Sequence, residues 1–221
     1  MRKFVKAYEK CEKKYIFRCA ASLVKVLGHI KDQPYLTKEQ CVIDGKGGIV
    51  IVGSHVNKTT SQLNYLKEKK EDLIWIEFDQ HKILINELNK ETIRVADELT
   101  KHLNQDKTVV VATRRERVDF PDDNPEKQLE MANEISNALT GVLSKVNIKP
   151  KFIITKGGIT SSDGLTKGLN VSKALVLGQI IQNVGVIKCL DGSKFINLPV
   201  VIFPGNVGDE TSLFEVLSIL I

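Results

Sequence analysis

Ile49-Val50-Ile51-Val52 is a continuous run of β-branched residues, and it is followed by Gly53-Ser54-His55-Val56-Asn57-Lys58-Thr59-Thr60. Such a run predicts a strand that is covered on both faces, and the glycine and polar residues after it predict a turn into a helix. Similar short runs occur at Leu73 to Phe78, Thr108 to Ala112, Phe152 to Thr155 and Val200 to Phe203.

Segments with helical spacing separate these runs, and the longest are residues 81–105 and 125–146. Strands that alternate with helices predict an α/β fold, a doubly wound and mainly parallel sheet with helices on both faces. The spacing changes between Ser172 and Leu198. There we expect a hairpin or an edge excursion, formed by Ala174 to Ile181 and Val186 to Leu190.

The amino-terminal segment differs from the rest of the chain. From Val5 to Ile30 apolar residues recur three or four positions apart, which predicts an amphipathic helix before the sheet. Residues 1–30 carry eight basic and two acidic side chains, a net +6, whereas the other 191 residues carry −1. The formal net charge of +5 therefore belongs to this segment. The chain therefore divides into an N-terminal segment with the helix, residues 1–39, and a nearly neutral body, residues 40–221.

The overall composition limits the class of protein. With 42% hydrophobic and 27% charged side chains, the 221 residues resemble a soluble globular protein and not a disordered or collagen-like one. No apolar run approaches the ~20 residues of a membrane span, and no signal peptide is recognisable. The cysteines show neither C-x-x-C pairing nor histidine partners at zinc-ligand spacing, so we expect no metal site and no disulfide framework. A reduced, cytoplasmic protein fits these features best.

Glycine-containing loops follow three of the predicted strands, at Gly53 to Thr60, Lys156 to Gly164 and Pro204 to Glu210. Each loop precedes a predicted helix start. Glycine lets the backbone approach a ligand closely, and free N–H groups at a helix N-terminus favour an anion such as phosphate. Because ligands of open α/β sheets bind beyond the carboxyl ends of the strands, we expect the loops to converge on one nucleotide.

Each loop alone also has a purely structural interpretation, as a strand-end turn or a helix N-cap. His55 taken alone fits a hydrogen-bonding loop residue better than a general base, and Asp163 fits a helix cap better than a Mg²⁺ ligand. Asn57 stands where a P-loop requires glycine before its lysine, and no G-x-G-x-x-G opens a helix after a strand. The signature motifs of protein kinases are absent as well.

The loops resemble those of a known family. Ile51 to His55, Lys156 to Asp163 with Leu177 to Ile180, and Phe203 to Asp209 are similar in order and spacing to the C-terminal nucleotide-binding domain of the four-carbon acid sugar kinases. That family phosphorylates threonate, erythronate and 3-oxotetronate. The resemblance covers roughly residues 40–221 and implies a nucleotide-binding domain there, preceded at residues 1–39 by a linker helix and the remnant of a domain junction. Ile16 to Val24 also resembles the end of the family's N-terminal domain, so we expect the domain that binds the sugar acid to be missing from this chain.

The resemblance implies where a nucleotide would be contacted. The family's three loops fall on Gly53, Ser54 and His55, on Gly157, Gly158, Ile159 and Thr160, and on Gly205 and Asn206. Thr113 and Arg114 after the third strand are further candidates, although Arg114, Arg115 and Arg117 fit a solvated basic face equally well. The resemblance also implies ATP and Mg²⁺ as cofactors, ATP or ADP as the bound nucleotide, and γ-phosphate transfer to a hydroxyl of a four-carbon sugar acid. The catalytic base stays unassigned.

Two other interpretations remain open. The first is a non-catalytic nucleotide-binding or regulatory module that lacks the substrate domain. The second is a nucleic-acid binder that uses the basic N-terminal segment. An aromatic content of 6% and the lack of a recognisable binding motif argue against that second interpretation. We therefore expect neither nucleic acid nor membrane as a partner, and the chain is compatible with a homo-oligomer.

Overall fold

The computed structural model describes residues 1–118 and 124–221, and its contacts divide the chain into two units, Met1–Pro34 and Tyr35–Ile221. The smaller unit contains α1 (Arg2–Tyr8) and α2 (Ala21–Leu27). The elements of the larger unit are α3 (Lys38–Cys41), β1 (Gly48–Val52), α4 (Asn57–Lys69), β2 (Ile74–Phe78), a 3-10 turn (Gln80–Ile85), α5 (Leu88–Asn104), β3 (Val109–Thr113), α6 (Pro125–Lys145), β4 (Phe152–Lys156), α7 (Gly158–Asp163), a π-helical turn (Gly164–Gly168), β5 (Ala174–Ile181), β6 (Val184–Cys189), β7 (Pro199–Phe203) and α8 (Ser212–Leu220).

The described strands form one sheet in the order β2-β3-β1-β4-β7-β6-β5. The first five strands of that order run parallel, and β6 and β5 add to β7 as an antiparallel hairpin. The predicted mainly parallel α/β sheet is therefore confirmed, and so is the hairpin. Asn183 lies between β5 and β6 with a left-handed backbone at φ 63°, a conformation that asparagine tolerates well.

Helices cover both faces of this sheet, as the continuous apolar strands predict. On one face Leu99 of α5 and Leu143 of α6 belong to the same buried cluster as Ile49 of β1. On the other face Leu66 of α4 and Leu217 of α8 cluster with Val50. Every residue of β1 is buried, because its side chains alternate between the two clusters. Burial of this kind contributes about 1.5–3 kcal/mol for each large aliphatic side chain.

Register places the carboxyl ends of the central strands side by side. Val52 at the end of β1 pairs with Lys156 at the end of β4, and Lys156 pairs in turn with Phe203 at the end of β7. The segments that follow these strands therefore leave the sheet at the same edge. This edge is the one at which an open α/β sheet usually binds its ligand.

The prediction of a single amphipathic helix from Val5 to Ile30 needs correction. An N-terminal helix is present, but it ends at Tyr8, and α2 begins only at Ala21. Between the two helices the chain turns back, so that the ring of Phe17 packs edge-on against the ring of Tyr8 with centroids 4.9 Å apart. Aromatic and β-branched residues lose side-chain freedom in a helix, and this packing outweighs the periodic pattern.

Among the residues described, none of the helices has the length and apolar character needed to cross a bilayer.

Candidate functional site

The three glycine-containing loops meet at the carboxyl edge of the sheet. The amide of Gly53 donates to the carbonyl of Lys156 at 3.3 Å, and the amide of Gly157 donates to the carbonyl of Phe203 at 2.9 Å. The hydroxyl of Thr59, in the first turn of α4, lies 3.0 Å from Ser54 Oγ and donates to the carbonyl of Gly205 at 3.0 Å. Each loop is thus bonded to at least one of the others.

The close approach of the loops explains two of the glycines. A Cβ atom on Gly53 would lie 2.4 Å from the hydroxyl of Thr160 and 2.9 Å from Leu139, distances that only a glycine avoids. Gly157 has φ +126°, a backbone conformation that L-residues rarely adopt. Gly158 differs from both, because a Cβ there would meet nothing within 4 Å. Open space in front of the backbone at Gly158 is suited to a ligand.

A cavity of about 360 Å³ adjoins the loops. Its polar end is formed by Gly53, His55, Thr113 and Thr160. Its apolar walls come chiefly from α6 and the start of α7, through Ala132, Ile135, Leu139 and Ile159. Ile159 is 67% exposed. An apolar slot beside polar backbone loops has room for a flat, mostly apolar group with an attached anion.

His55 and Thr113 lie at the polar end of the cavity in one hydrogen-bond network. His55 Nε2 is 3.3 Å from the hydroxyl of Thr113 and 3.2 Å from the carbonyl of Arg114. Burial lowers the pKa of His55, and the charges of Arg115 and Arg117 act in the same direction. The ring is therefore neutral near pH 7 and anchors the loop by hydrogen bonds.

Arg114 and Arg115 are neighbours in sequence but face different surroundings. The guanidinium of Arg114 lies 3.4 Å from Asp79, 3.6 Å from Glu116 and 3.7 Å from Glu77. Arg115 instead donates to the carbonyl of Ser54 at 2.8 Å and to the hydroxyl of Thr60 at 3.0 Å. Its Nη1 atom is buried without a hydrogen-bond partner, and burial lowers the pKa of Arg115.

Lys156 is also part of the site, although no role was predicted for it from the sequence. It ends the apolar strand β4, and its side chain is fully buried. Its Nζ donates to the carbonyl of Pro204 at 2.8 Å and lies 3.9 Å from the ring centroid of Phe203. The signal for this residue was a charge at the last position of a strand predicted to be buried on both faces.

Several cations near the loops have no acidic partner among the described residues. Arg117, on the wall of the cavity, is one of them, and Lys58, Arg115 and Lys156 lie beside the loops at Ser54 and Gly205. Lys58 donates to the carbonyl of Gly208 at 2.8 Å, and Arg115 and Lys156 make only the neutral contacts given above. Within residues 1–118 and 124–221, no carboxylate oxygen lies within ion-pair distance of these three side chains. We call Lys58, Arg115 and Lys156 the unpaired cations. They surround the loops at Ser54 and Gly205, and an anion placed there would be attracted by all three.

The expected contact residues therefore fall into two groups. Gly53, Ser54, Gly157, Thr160 and Gly205 form the interlocked centre of the loops, with His55 and Thr113 beside them. Gly158 and Ile159 are exposed at the start of α7, and Asn206 is exposed in the third loop. Arg114 presents its carbonyl to this network while its guanidinium is turned to acidic side chains.

Asp163 is neither a helix cap nor a free metal ligand. Its carboxylate accepts a hydrogen bond from Ser136 at 2.7 Å and pairs with Lys167 at 3.0 Å. The preference for a cap is therefore wrong, because the side chain joins α7 to α6. No group of three or more His, Cys, Asp or Glu side chains suited to a metal ion occurs in the part of the chain that the structure describes.

A family model described as a nucleotide-binding C-terminal domain matches residues 49–213. The chain belongs to this family. The matched range begins in β1 and ends in α8, so it includes all three loops, the cavity walls and the unpaired cations. In a fold of this kind the expected ligand position is the carboxyl edge of the sheet, where the three loops meet.

Solved structures share the fold of this chain. A protein from Bordetella bronchiseptica with a domain of unknown function, DUF1537, is 13% identical with a TM-score of 0.59, and the match covers 80% of this chain and 42% of that one. That structure is a domain-swapped dimer with bound citrate. A DUF1537 protein from Haemophilus influenzae is 14% identical with a TM-score of 0.55, covering 90% and 45%. The chain thus spans less than half the length of these structures. A search of curated proteins finds no match.

Proposed function

We propose that this domain binds ATP through the loops at Gly53, Gly157 and Gly205, and that it is the nucleotide-binding half of a kinase. The acceptor would be a hydroxyl of a four-carbon sugar acid, held by a second domain. One observation supports ATP binding. Hydrogen bonds join the three loops that follow the strands, and the unpaired cations lie beside these loops. The acceptor class rests on the resemblance to the four-carbon acid sugar kinases.

The geometry suggests that the base and the phosphates of ATP would occupy different parts of the site. The cavity between Ile159 and Leu139 is suited to the base, since its walls are apolar. The phosphates would lie toward Ser54 and Gly205, near the N-terminus of α4 and the unpaired cations. Phosphoryl transfer depends mainly on positioning and on stabilising charge at the transferring group, which these residues could supply.

Mg²⁺ would reach the site as part of the Mg-ATP substrate. The donors near the loops are hydroxyls and backbone groups, and the described residues offer no carboxylate set for a resident ion. Mg²⁺ commonly keeps several waters and is held largely by substrate phosphates, so this donor set is consistent with Mg-ATP as the ligand.

Calorimetry with Mg-ADP tests the proposal, and Gly158→Ala tests where the ligand lies. A methyl group at position 158 meets no protein atom, so it should leave folding intact while it occupies space in front of the loop. We expect the affinity for Mg-ADP to fall by roughly tenfold, equivalent to about 1.4 kcal/mol. Gly141→Ala is the matched control, because Gly141 is also helical, has no positive φ and has space for a methyl group.

The controls define what would contradict the proposal. No detectable binding of Mg-ADP at millimolar concentration to the wild-type chain would exclude the nucleotide site. Equal affinities for Gly158→Ala and Gly141→Ala would place the ligand elsewhere. The thermal midpoint of each variant shows that any loss of binding is local.

An activity assay separates a kinase from a non-catalytic module. The non-catalytic module is favoured by one observation: the carboxylates of Asp163 and Asp209 are already held, the first by Ser136 and Lys167 and the second by Thr211 and Ser212. Mg-ATP with threonate or erythronate should give product only when a separately expressed substrate domain is added. Nucleotide binding without turnover under those conditions would favour the regulatory module.

A further inference from the structure

Lys156 is a lysine inside the sheet core. Its side chain has no exposed surface, although the charged form of a buried lysine is costly unless it is paired. The carbonyl of Pro204 accepts from Nζ at 2.8 Å, and that of Gly205 lies at 3.4 Å. Both carbonyls belong to the third loop. Lys156 therefore links the end of β4 directly to the segment that follows β7.

The groups that face Lys156 carry no negative charge. β1 presents Val52 and β7 presents the ring of Phe203, whose centroid is 3.9 Å from Nζ. From α4 the charged group that acts on it is another cation, Lys58. The carboxylate of Asp209, near the end of the third loop, accepts instead from Thr211 at 2.8 Å and from Ser212 at 3.0 Å.

We propose that Lys156 is a positioning residue that holds the Pro204-Gly205 loop in its ligand-binding form and that takes up a proton when a nucleotide polyphosphate binds. This inference rests on the proposed function. A carbonyl contact persists with the neutral amine, whereas the ammonium form needs a compensating anion. Bound phosphates beside Gly205 would supply that anion, and an opposite charge nearby favours the charged form of lysine.

The environment of the Lys156 amine determines at which pH ligand binding should take up a proton. Burial, together with the charge of Lys58, lowers the pKa of Lys156 to about 7 in the ligand-free chain. At pH 6 the side chain is then mostly charged before the ligand arrives, and little proton is gained. At pH 8 it is mostly neutral, so binding of a polyanion should draw up to one proton from solution.

Calorimetry of Mg-ADP binding at pH 6 and pH 8, in buffers with different ionisation enthalpies, measures this proton uptake directly. We expect uptake of more than about half a proton at pH 8 and much less at pH 6. Lys156→Met should bind Mg-ADP at least roughly tenfold more weakly, as expected for a lost hydrogen bond from a charged group, and without uptake. Lys156→Arg retains a permanent charge and should recover part of the affinity, again without uptake.

Lys194→Met is the matched control. Lys194 also donates to two backbone carbonyls, those of Leu143 and Ser144, and partial burial lowers its pKa as well. It lies beside the carboxyl end of α6, where the chain leads into β4 and away from the loops. We expect wild-type affinity and wild-type proton uptake in this variant.

The outcomes separate this inference from the proposed function. Absence of any Mg-ADP binding would overturn both. Binding without proton uptake at pH 8 would overturn only the role of Lys156, and so would uptake that persists in Lys156→Met. If Lys156→Met fails to fold, the wild-type chain can still be compared with Lys156→Arg. Equal proton uptake by these two proteins at pH 8 would contradict the inference.

Discussion

The carboxyl edge of the sheet and the surface of α5 differ in whether their basic side chains have acidic partners. On α5, Arg94 lies 2.6 Å from one carboxylate oxygen of Glu91 and 2.9 Å from Glu98. Glu91 is only 5% exposed, and it also accepts from the amide of Asp79 at 2.8 Å. At the carboxyl edge, Arg115 and Lys156 make only neutral contacts with the described residues, and burial lowers the pKa of each.

Under the proposed function, the difference separates charge that stabilises the fold from charge that is kept for a ligand. A paired and hydrogen-bonded charge contributes to folding, and removal of one partner leaves a buried group unsatisfied. An unpaired buried cation costs folding free energy until an anion arrives. Under the proposed function, phosphate bound beside the loops at Ser54 and Gly205 would offset this cost.

The largest effect on folding should come from the paired region. Glu91→Ala removes the acceptor of the Asp79 amide and of Arg94, and we expect the free energy of unfolding to fall by about 2–3 kcal/mol. Affinity for Mg-ADP should stay close to the wild-type value. Urea denaturation and calorimetry measure the two quantities.

Glu98→Ala provides the control for that prediction. Glu98 pairs with the same arginine, but its side chain is 40% exposed, so its loss should cost less than about 1 kcal/mol. Equal destabilisation by Glu91→Ala and Glu98→Ala would show that burial does not distinguish the two carboxylates.

A smaller effect, on binding and not on folding, is expected at the carboxyl edge. Arg115→Met removes an unpaired cation below the Ser54 loop, and the affinity for Mg-ADP should fall by roughly tenfold, or about 1.4 kcal/mol. Arg114→Met removes a guanidinium that already faces Asp79 and Glu77, so it should weaken binding less. A larger loss for Arg114→Met than for Arg115→Met, measured by calorimetry, would reverse our assignment of the ligand-facing arginine.

The strands and the three loops could be predicted because their signals are local. A continuous apolar run such as Ile49 to Val52 indicates a buried strand, and a following glycine indicates its end. The parallel arrangement then places all three loops at one edge without further information. By contrast, the periodic pattern from Val5 to Ile30 could not show that Phe17 packs against Tyr8 across a turn.

The unpaired cations could not be assigned from the sequence, because pairing is decided in three dimensions. Arg114 and Arg115 are adjacent and identical in type, and only the fold shows that one faces carboxylates and the other faces Ser54. Lys156 was visible as a charge at the end of β4, yet its contact with Pro204 joins residues that are 48 positions apart. Asp163 was misassigned for the same reason, since its partner Ser136 lies on a different helix.

Folding of the ligand-free chain should also depend on pH. The pKa of Lys156 is about 7 in the folded chain and about 10.4 in an unfolded one, so above pH 7 the unfolded chain binds more protons at this position. The contribution of Lys156 to the free energy of unfolding should therefore rise with pH between 7 and about 8.5, by up to about 1.4 kcal/mol per pH unit. From about pH 8 Cys41 and Cys189 act in the opposite direction, because burial raises the pKa of each thiol to about 11 in the folded chain.

Urea denaturation at pH 7.0, 7.5, 8.0 and 8.5 tests this slope. Lys156→Met should show a flatter profile than the wild-type chain, and its stability at pH 7 should be higher if the unpaired charge is as costly as its burial implies. Lys101→Met, which removes an exposed lysine on α5, should retain the wild-type slope. Parallel profiles for Lys156→Met and the wild type would mean that Lys156 has the same pKa in the folded and unfolded chains. The contrast between the carboxyl edge and α5 would then depend on Arg115 and Lys58 alone.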